Sequence, residues 1–275
     1  MTDAPSPTVR VECLARRHDV TARSSRVIPE ETPVAFTYGG STHAVMMATP
    51  ADLEDFALGF ALTEGLIDRL DEAGEIETLV TDAGIELRSW LGGGRQEAYA
   101  QRRRSMAGPT GCGLCGVESL EAATRSLPHI DNRLAIRPEA LIEAMERLPG
   151  GQKFNQETRA VHAAGFWHPS TGALIVREDV GRHNALDKLA GALLRQGVTA
   201  SQGVVLMTSR VSVELVQKAA RIGAPVIAAV SAPTALAVRN AESCGMTLVA
   251  VMRGRDYEVF THPERLHEQV AAHVA

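Results

Sequence analysis

Three runs in the last third of the chain constrain its fold more than any other feature. Residues 203–207 (GVVLM), 225–230 (PVIAAV) and 247–252 (TLVAVM) are apolar at almost every position. Successive side chains of a strand point to opposite faces of its sheet, so a half-buried strand alternates apolar with polar residues. A run that is apolar throughout must be covered on both faces. Residues 213–222 and 234–243, between the runs, carry apolar side chains at helical spacing and supply the cover. A final strand is expected at 257–260. Ahead of the runs, 160–167 and 173–177 flank the turn His168-Pro169-Ser170-Thr171-Gly172 and read as a hairpin. A helix over 184–195 would bury Leu186, Leu189, Ala190, Leu193 and Leu194. The pattern predicts an α/β lobe with parallel neighbours, covered on both faces.

The first half is patterned differently. Residues 33–38 and 42–48 read as two strands joined by Gly39-Gly40-Ser41. Thr49 as cap, Pro50 at the first helical position and Asp52 in the first turn predict a helix. Its buried face would be Leu53, Phe56, Ala57, Phe60 and Ala61, and Gly65 would end it. Residues 75–100 alternate weakly and read as a small meander turning at Gly92-Gly93-Gly94. A short amphipathic helix over 138–148 stops at Pro149-Gly150-Gly151, the expected boundary between lobes. The organisation expected is a flexible N-terminal arm at 1–26 with one short strand near 9–14, a smaller mixed α+β lobe at 27–150, and an α/β lobe at 151–275.

Charge and cysteine content exclude several function classes. The balance of 28 basic and 33 acidic side chains, net −5, lacks the clustered cations with which a protein wraps nucleic acid. Four cysteines in 275 residues do not make a disulfide framework. The N-terminus has no apolar signal region, and the longest apolar stretch, 225–238, is interrupted by Pro233. A soluble cytoplasmic protein without a membrane segment is expected.

Chemistry is written at one place. Residues 101–117 (QRRRSMAGPTGCGLCGV) join three arginines to a glycine-rich stretch holding Cys112 and Cys115, and read as an irregular loop. Two thiols at this spacing can form half of a zinc site, cycle as a dithiol, or carry sulfur as a persulfide. The zinc reading lacks a second cysteine or histidine pair at ligand spacing, and Pro109 stands three residues before Cys112 where a base deaminase places proline next to it. The redox reading expects a strand–helix junction, which this stretch does not offer. Glycines on both sides of the pair suit approach by a large partner. Arg102, Arg103 and Arg104 folded over the loop would favour the thiolate. Sulfur carriage is the favoured reading of the three.

Separated stretches then agree in order. Tyr38-Gly39-Gly40, residues 43–50 (HAVMMATP), 55–60 (DFALGF) and Glu64-Gly65 resemble the opening of the formate dehydrogenase accessory protein family (FdhD). Residues 108–117 (GPTGCGLCGV) are similar to its cysteine loop, and 178–188 (EDVGRHNALDK), Ser209-Arg210, 216–219, 230–234 and 261–266 continue the likeness. The resemblance implies a cytidine-deaminase-like αβα C-terminal lobe and a homodimer. It implies a sulfurtransferase that takes sulfur from a cysteine desulfurase and delivers it to the molybdenum bis(molybdopterin guanine dinucleotide) destined for the formate dehydrogenase catalytic subunit. That cofactor is then a bound substrate, with no structural metal. Cys112 would carry the persulfide and Cys115 would assist. The family's cofactor-binding stretch falls on Val251, Met252, Arg253, Gly254, Arg255 and Asp256. These follow a buried strand, at the edge where open α/β sheets bind ligands, and offer two forked donors for phosphate oxygens. Asp256 reads equally as an acceptor for guanine or as a turn residue, and a solvated hairpin turn is the plainer alternative for residues 253–256.

Other positions are weaker. Arg182-His183-Asn184 opens a helix, either as an anion site or with Asn184 as a simple cap, and Ser209-Arg210 is a second strand-end site. His43 and His162 read as satisfying local hydrogen bonds. The rival from another class is a chaperone that binds the molybdenum cofactor without covalent chemistry. A small hydrolase on the same scaffold is the third possibility.

Overall fold

The computed structural model describes residues 4–106 and 127–267. Three sheets organise them. The first is a free-standing hairpin of β1 (Thr8–Arg17) and β2 (Val20–Pro29), paired from Thr8↔Pro29 to Arg17↔Val20. Where one short strand is expected inside a flexible arm, a complete two-stranded ladder forms. Its turn is His18-Asp19, with φ of 48° and 65°, and such left-handed turns match the twist of the strands they join. With neither Asn nor Gly at those two positions, the usual sequence signal for this turn is missing.

The second sheet holds β3 (Thr32–Tyr38), β4 (Ser41–Ala48), β5 (Ile76–Thr81) and β6 (Gly84–Ser89), in the order β4-β3-β6-β5. The expected hairpin of β3 and β4 turns at Gly39 and Gly40, both at positive φ. β6 lies parallel to β3, so the 75–100 segment is a hairpin inserted beside β3 rather than a separate meander. Helix α1 (Leu53–Thr63) packs on this sheet. Its Phe60 ring stacks on Phe36 at 4.0 Å, and Phe56 meets Phe36 edge-on at 4.9 Å. The helix begins at Leu53, with Asp52 in the left-handed region at the cap position; Thr49 does not cap it. Helix α2 (Arg95–Met106) replaces both the end of the expected meander and the start of the expected loop, because the glycine turn at 92–94 is followed by a polar helical run. The rest of the cysteine loop, with Cys112 and Cys115, lies outside the described residues.

The third sheet is the large one. Helix α3 (Pro138–Arg147) and the short α4 (Lys153–Thr158) precede β7 (His162–Trp167) and β8 (Leu174–Asp179), a hairpin as expected. Then follow α5 (Arg182–Arg195), β9 (Val204–Met207), α6 (Val213–Arg221), β10 (Val226–Ala229), α7 (Ala235–Cys244), β11 (Thr247–Arg253) and β12 (Asp256–Thr261). The order is β12-β11-β10-β9-β7-β8, with β9, β10 and β11 parallel. Because β7 is antiparallel to both β8 and β9, β8 points the same way as β9.

Both faces of this sheet are covered, as the apolar runs require. Val205, Met207, Ile227, Ala229, Leu248 and Ala250 pack with α5, α6 and α7 on one side. Val204, Leu206, Val226, Ala228 and Val249 pack with Leu141, Ala144 and Leu148 on the other. This mixed α/β arrangement therefore reaches back to α3. The expected boundary at 149–151 falls inside the second packing unit, because the buried face of α3 packs on that sheet.

The lobes meet where α1 crosses α5. A Cβ on Gly59 would sit 1.6 Å from the Asp187 carbonyl oxygen, and one on Gly191 would sit 1.8 Å from that of Asp55. The backbones touch, which only glycine permits. Buried Asp55 ties the crossing down, pairing with Arg177 at 2.6 Å and Arg195 at 2.8 Å.

Candidate functional site

The carboxyl ends of β8, β9, β10 and β11 share one edge of the large sheet, so α5, α6 and α7 all begin there. A helix N-terminus carries unsatisfied N–H groups and a partial positive charge, and three of them face this edge. The loops between strands and helices are cross-tied. Val211 bridges Pro233, and the Thr234 N–H donates to the Val211 carbonyl at 2.9 Å. Arg182, Arg210, Arg253 and Arg255 come from three of these loops, and the last three are exposed. Three helix N-termini and four arginines therefore gather at this edge.

Residues 251–256 close it on one side. β11 and β12 form a hairpin with Gly254 at φ 59° in its turn, and Arg253 lies across from Asp256. Met252 is buried, while Arg253, Gly254, Arg255 and Asp256 are solvent-exposed. Val251 sits at φ 55° inside a register shift between Ala250 and Arg253. For a β-branched residue that conformation is strained. Its effect is to re-aim the last residues of β11, so that two forked guanidinium groups stand at the edge.

A buried polar network fixes the head of α5. Lys188 and Asp179 form an ion pair at 2.7 Å, both side chains wholly inaccessible. Lys188 Nζ also donates to the Thr49 carbonyl at 2.8 Å. Asp179 accepts from the N–H of Thr49 at 3.0 Å, the N–H of Gly181 at 2.7 Å and Asn184 Nδ2 at 2.9 Å. Asn184 is thus a buried bridge, also donating to the Met47 carbonyl, and not the cap of α5, a position held by Gly181. The Thr49 hydroxyl accepts from the Val180 N–H at 3.1 Å, which explains why it leaves α1 uncapped. A second buried pair, Asp187 with Lys218 at 2.8 Å, joins α5 to α6 and takes in the Thr63 hydroxyl. Burial pushes the Asp187 carboxyl up, partly opposed by Lys218, and Asp187 pushes the Lys218 ammonium up despite its burial. Sequence reasoning missed both pairs. The signal was there, since Asp187 and Lys188 stand among apolar residues on a helix expected to be buried.

His183 lies over this network at the edge. Its Nε2 is 3.1 Å from the Ser212 hydroxyl and 3.8 Å from Glu214. Burial, then the neighbouring Arg182 charge, lowers its pKa to about 4. The ring is neutral near pH 7. Both Ser212 and Glu214 approach the same ring nitrogen. Arg182 Nε is buried with no hydrogen-bond partner among the described residues.

The remaining expected positions are local. The Ser209 hydroxyl donates to the Arg210 carbonyl, and His43 lies 3.4 Å from the Tyr99 hydroxyl on α2. Burial and Arg182 lower the His162 pKa. Among the described residues no group of three or more metal-ligating side chains comes together. No helix of the described residues is long and apolar enough to cross a membrane.

The model of the FdhD/NarQ family matches residues 29–267, nearly the whole chain. The chain belongs to the FdhD/NarQ family. The sulfur carrier protein FdhD of Agrobacterium fabrum (strain C58 / ATCC 33970) is 52% identical over 258 residues, covering 94% of this chain and 95% of that protein. The sulfur carrier protein FdhD of Xanthomonas oryzae pv. oryzae (strain MAFF 311018) is 45% identical over 276 residues, covering 98% of each. A crystal structure of a formate dehydrogenase accessory protein from Desulfotalea psychrophila superposes with a TM-score of 0.75 at 25% identity, over 94% of this chain and 99% of that one. The ordered likeness to FdhD therefore holds, and the mixed α/β fold is that of an FdhD/NarQ protein.

Proposed function

We propose that the chain is a sulfurtransferase that carries sulfur for formate dehydrogenase maturation. The observation that carries the reading is the likeness to sulfur carrier proteins over almost the full length, together with Cys112 and Cys115 between glycines. The Cys112 thiolate attacks the outer sulfur of a cysteine desulfurase persulfide; a new S–S bond forms at Cys112 as the old one breaks, and the desulfurase leaves as its thiolate. Releasing that sulfur at the sulfide level takes two electrons. Cys115 supplies them by attacking the inner sulfur, leaving a Cys112–Cys115 disulfide that an external dithiol reduces.

The acceptor in this reading is the molybdenum bis(molybdopterin guanine dinucleotide), bound as substrate. The edge described above suits its diphosphates. Arg253 and Arg255 offer paired N–H donors, Gly254 allows close backbone approach, and Asp256 can accept from a guanine N–H face. The neutral His183 and Arg182 line the same edge. The protein acts in the cytoplasm as a homodimer, on a cytidine-deaminase-like lobe, and hands its product to the formate dehydrogenase catalytic subunit.

The test is loading by a cysteine desulfurase and cysteine, followed by intact and peptide masses with and without reductant. A reductant-reversible gain of sulfur on Cys112, absent in Cys112→Ala, is expected. Cys115→Ser should still load but retain its sulfur. No added sulfur, with an active desulfurase present, overturns the carrier reading in favour of a binding chaperone.

A further inference from the structure

The Glu30 N–H donates to the Pro7 carbonyl and closes the base of the β1–β2 hairpin. Among the described residues the hairpin is tied to the body near that base, where Arg26 donates to the Thr158 carbonyl at the end of α4. Beyond that it stands in solvent. One face sets Val9, Val11, Cys13, Ala15, Val20, Ala22 and Ile28 beside Arg17, Ser24 and Arg26, with Val9 40% and Val20 66% exposed, and Leu14 on the other face is 74% exposed. A two-stranded ladder is marginal in water by itself, and this one has no cover among the described residues beyond its base. Among the described residues the outer edge of β1 pairs with no strand.

Its charge indicates what it meets. Residues 8–29 carry five arginines (10, 16, 17, 23 and 26) against Glu12 and Asp19, a net +3, on a chain whose total is −5. Residues 52–86 hold eleven carboxylates against one arginine. Within them β5 is the edge strand of the four-stranded sheet, flanked by Glu75 and Asp82 and bearing Glu77, all exposed. Like charges keep such an edge from pairing with its own kind, and the same charges attract an arginine-rich strand.

We propose that two copies of the chain associate by exchanging hairpins, β1 of each adding to the acidic β5 edge of the other. The inference rests on the homodimer in the reading above and names its surface. β5 offers six residues, so the added ladder spans about 20 Å and one contact covers about 200 Å² on each side. Two equivalent contacts in a closed pair reach about 800 Å², the size of a weak, salt-sensitive association. The basic strand and the acidic edge both belong to this chain, so a second copy offers the complementary charge at both contacts.

Sedimentation of the full chain over a micromolar series, at low and high salt, tests this. The wild type should be a dimer that weakens with salt. Combined Arg10→Glu, Arg16→Glu and Arg17→Glu should weaken it by roughly tenfold or more, as should combined Glu75→Lys, Glu77→Lys and Asp82→Lys. A chain carrying both sets has its charges swapped and should dimerise again, which no unfolded variant would do. A dimer indifferent to either set, or not restored in the swapped chain, overturns the hairpin assignment alone. A monomeric wild type overturns the dimer as well. Sulfur loading on Cys112, read by mass in the same samples, reports separately on the carrier reading.

Discussion

Lys188→Met removes one partner of an ion pair that no water reaches. Deleting one side of a buried pair costs about 3–5 kcal/mol, because the remaining charge stays buried. Asp179 would keep three donors, from Thr49, Gly181 and Asn184, which places the loss near the bottom of that range. The Thr49 carbonyl would lose the donor at 2.8 Å, and an orphaned buried acceptor adds about 1 kcal/mol. The expected total is about 4 kcal/mol. With a urea slope near 3 kcal/mol/M, the unfolding midpoint should fall by more than 1 M. Adding Asp179→Asn removes the uncompensated charge and should recover about half of the loss, which a double-mutant cycle reads directly. The two residues lie under the loop leading to Arg182 and His183, so affinity for GDP as a probe should fall in the single variant too. A midpoint shift below about 0.3 M would refute the argument, since the pair would then contribute no more than a surface contact.

Three further outcomes follow from the same geometry. Gly191→Ala places a methyl against the Asp55 carbonyl and should destabilise by about 2 kcal/mol net, after the roughly 1 kcal/mol that alanine returns in a helix; thermal unfolding measures it, and an unchanged midpoint contradicts the close crossing. His183, with its pKa lowered to about 4 against an ordinary 6.5, favours folding while neutral. Its contribution is complete above pH 6.5 and is lost as pH falls towards 4, and NMR should show no titration of that ring between pH 6 and 8. Arg253→Ala and Arg255→Ala should each weaken GDP binding roughly fivefold, the factor that about 1 kcal/mol makes, with a shallower salt dependence by calorimetry; unchanged affinity would move the anion site elsewhere.

Much of this was legible in the chain because burial on two faces leaves a plain mark. The runs at 203–207, 225–230 and 247–252 could only be central strands, and β9, β10 and β11 occupy them. Elements set by tertiary demand were not legible. Thr49 has the residue type and position of a cap, yet Asp179 and Val180, about 130 residues away, claim its backbone and hydroxyl. The His18-Asp19 turn hides a hairpin because it adopts a glycine conformation without glycine. The helical start of the arginine run was obscured by the glycines on both sides of it. Arg253 and Arg255 could be located at the carboxyl end of a buried strand from the sequence, and they lie at the end of β11 and in the turn beyond it. The network beneath Arg182 could not, because Asn184 looks like a cap until the depth of α5 is known.

The glycine crossing of α1 and α5 has a mechanical consequence. Two backbones in contact, pinned by Asp55 between two arginines, leave no compliant joint between the lobes. The body behaves as a fixed jig rather than a pair of jaws. Distances between its surfaces are set when it folds, so a reagent must travel across it, since the body cannot close around one.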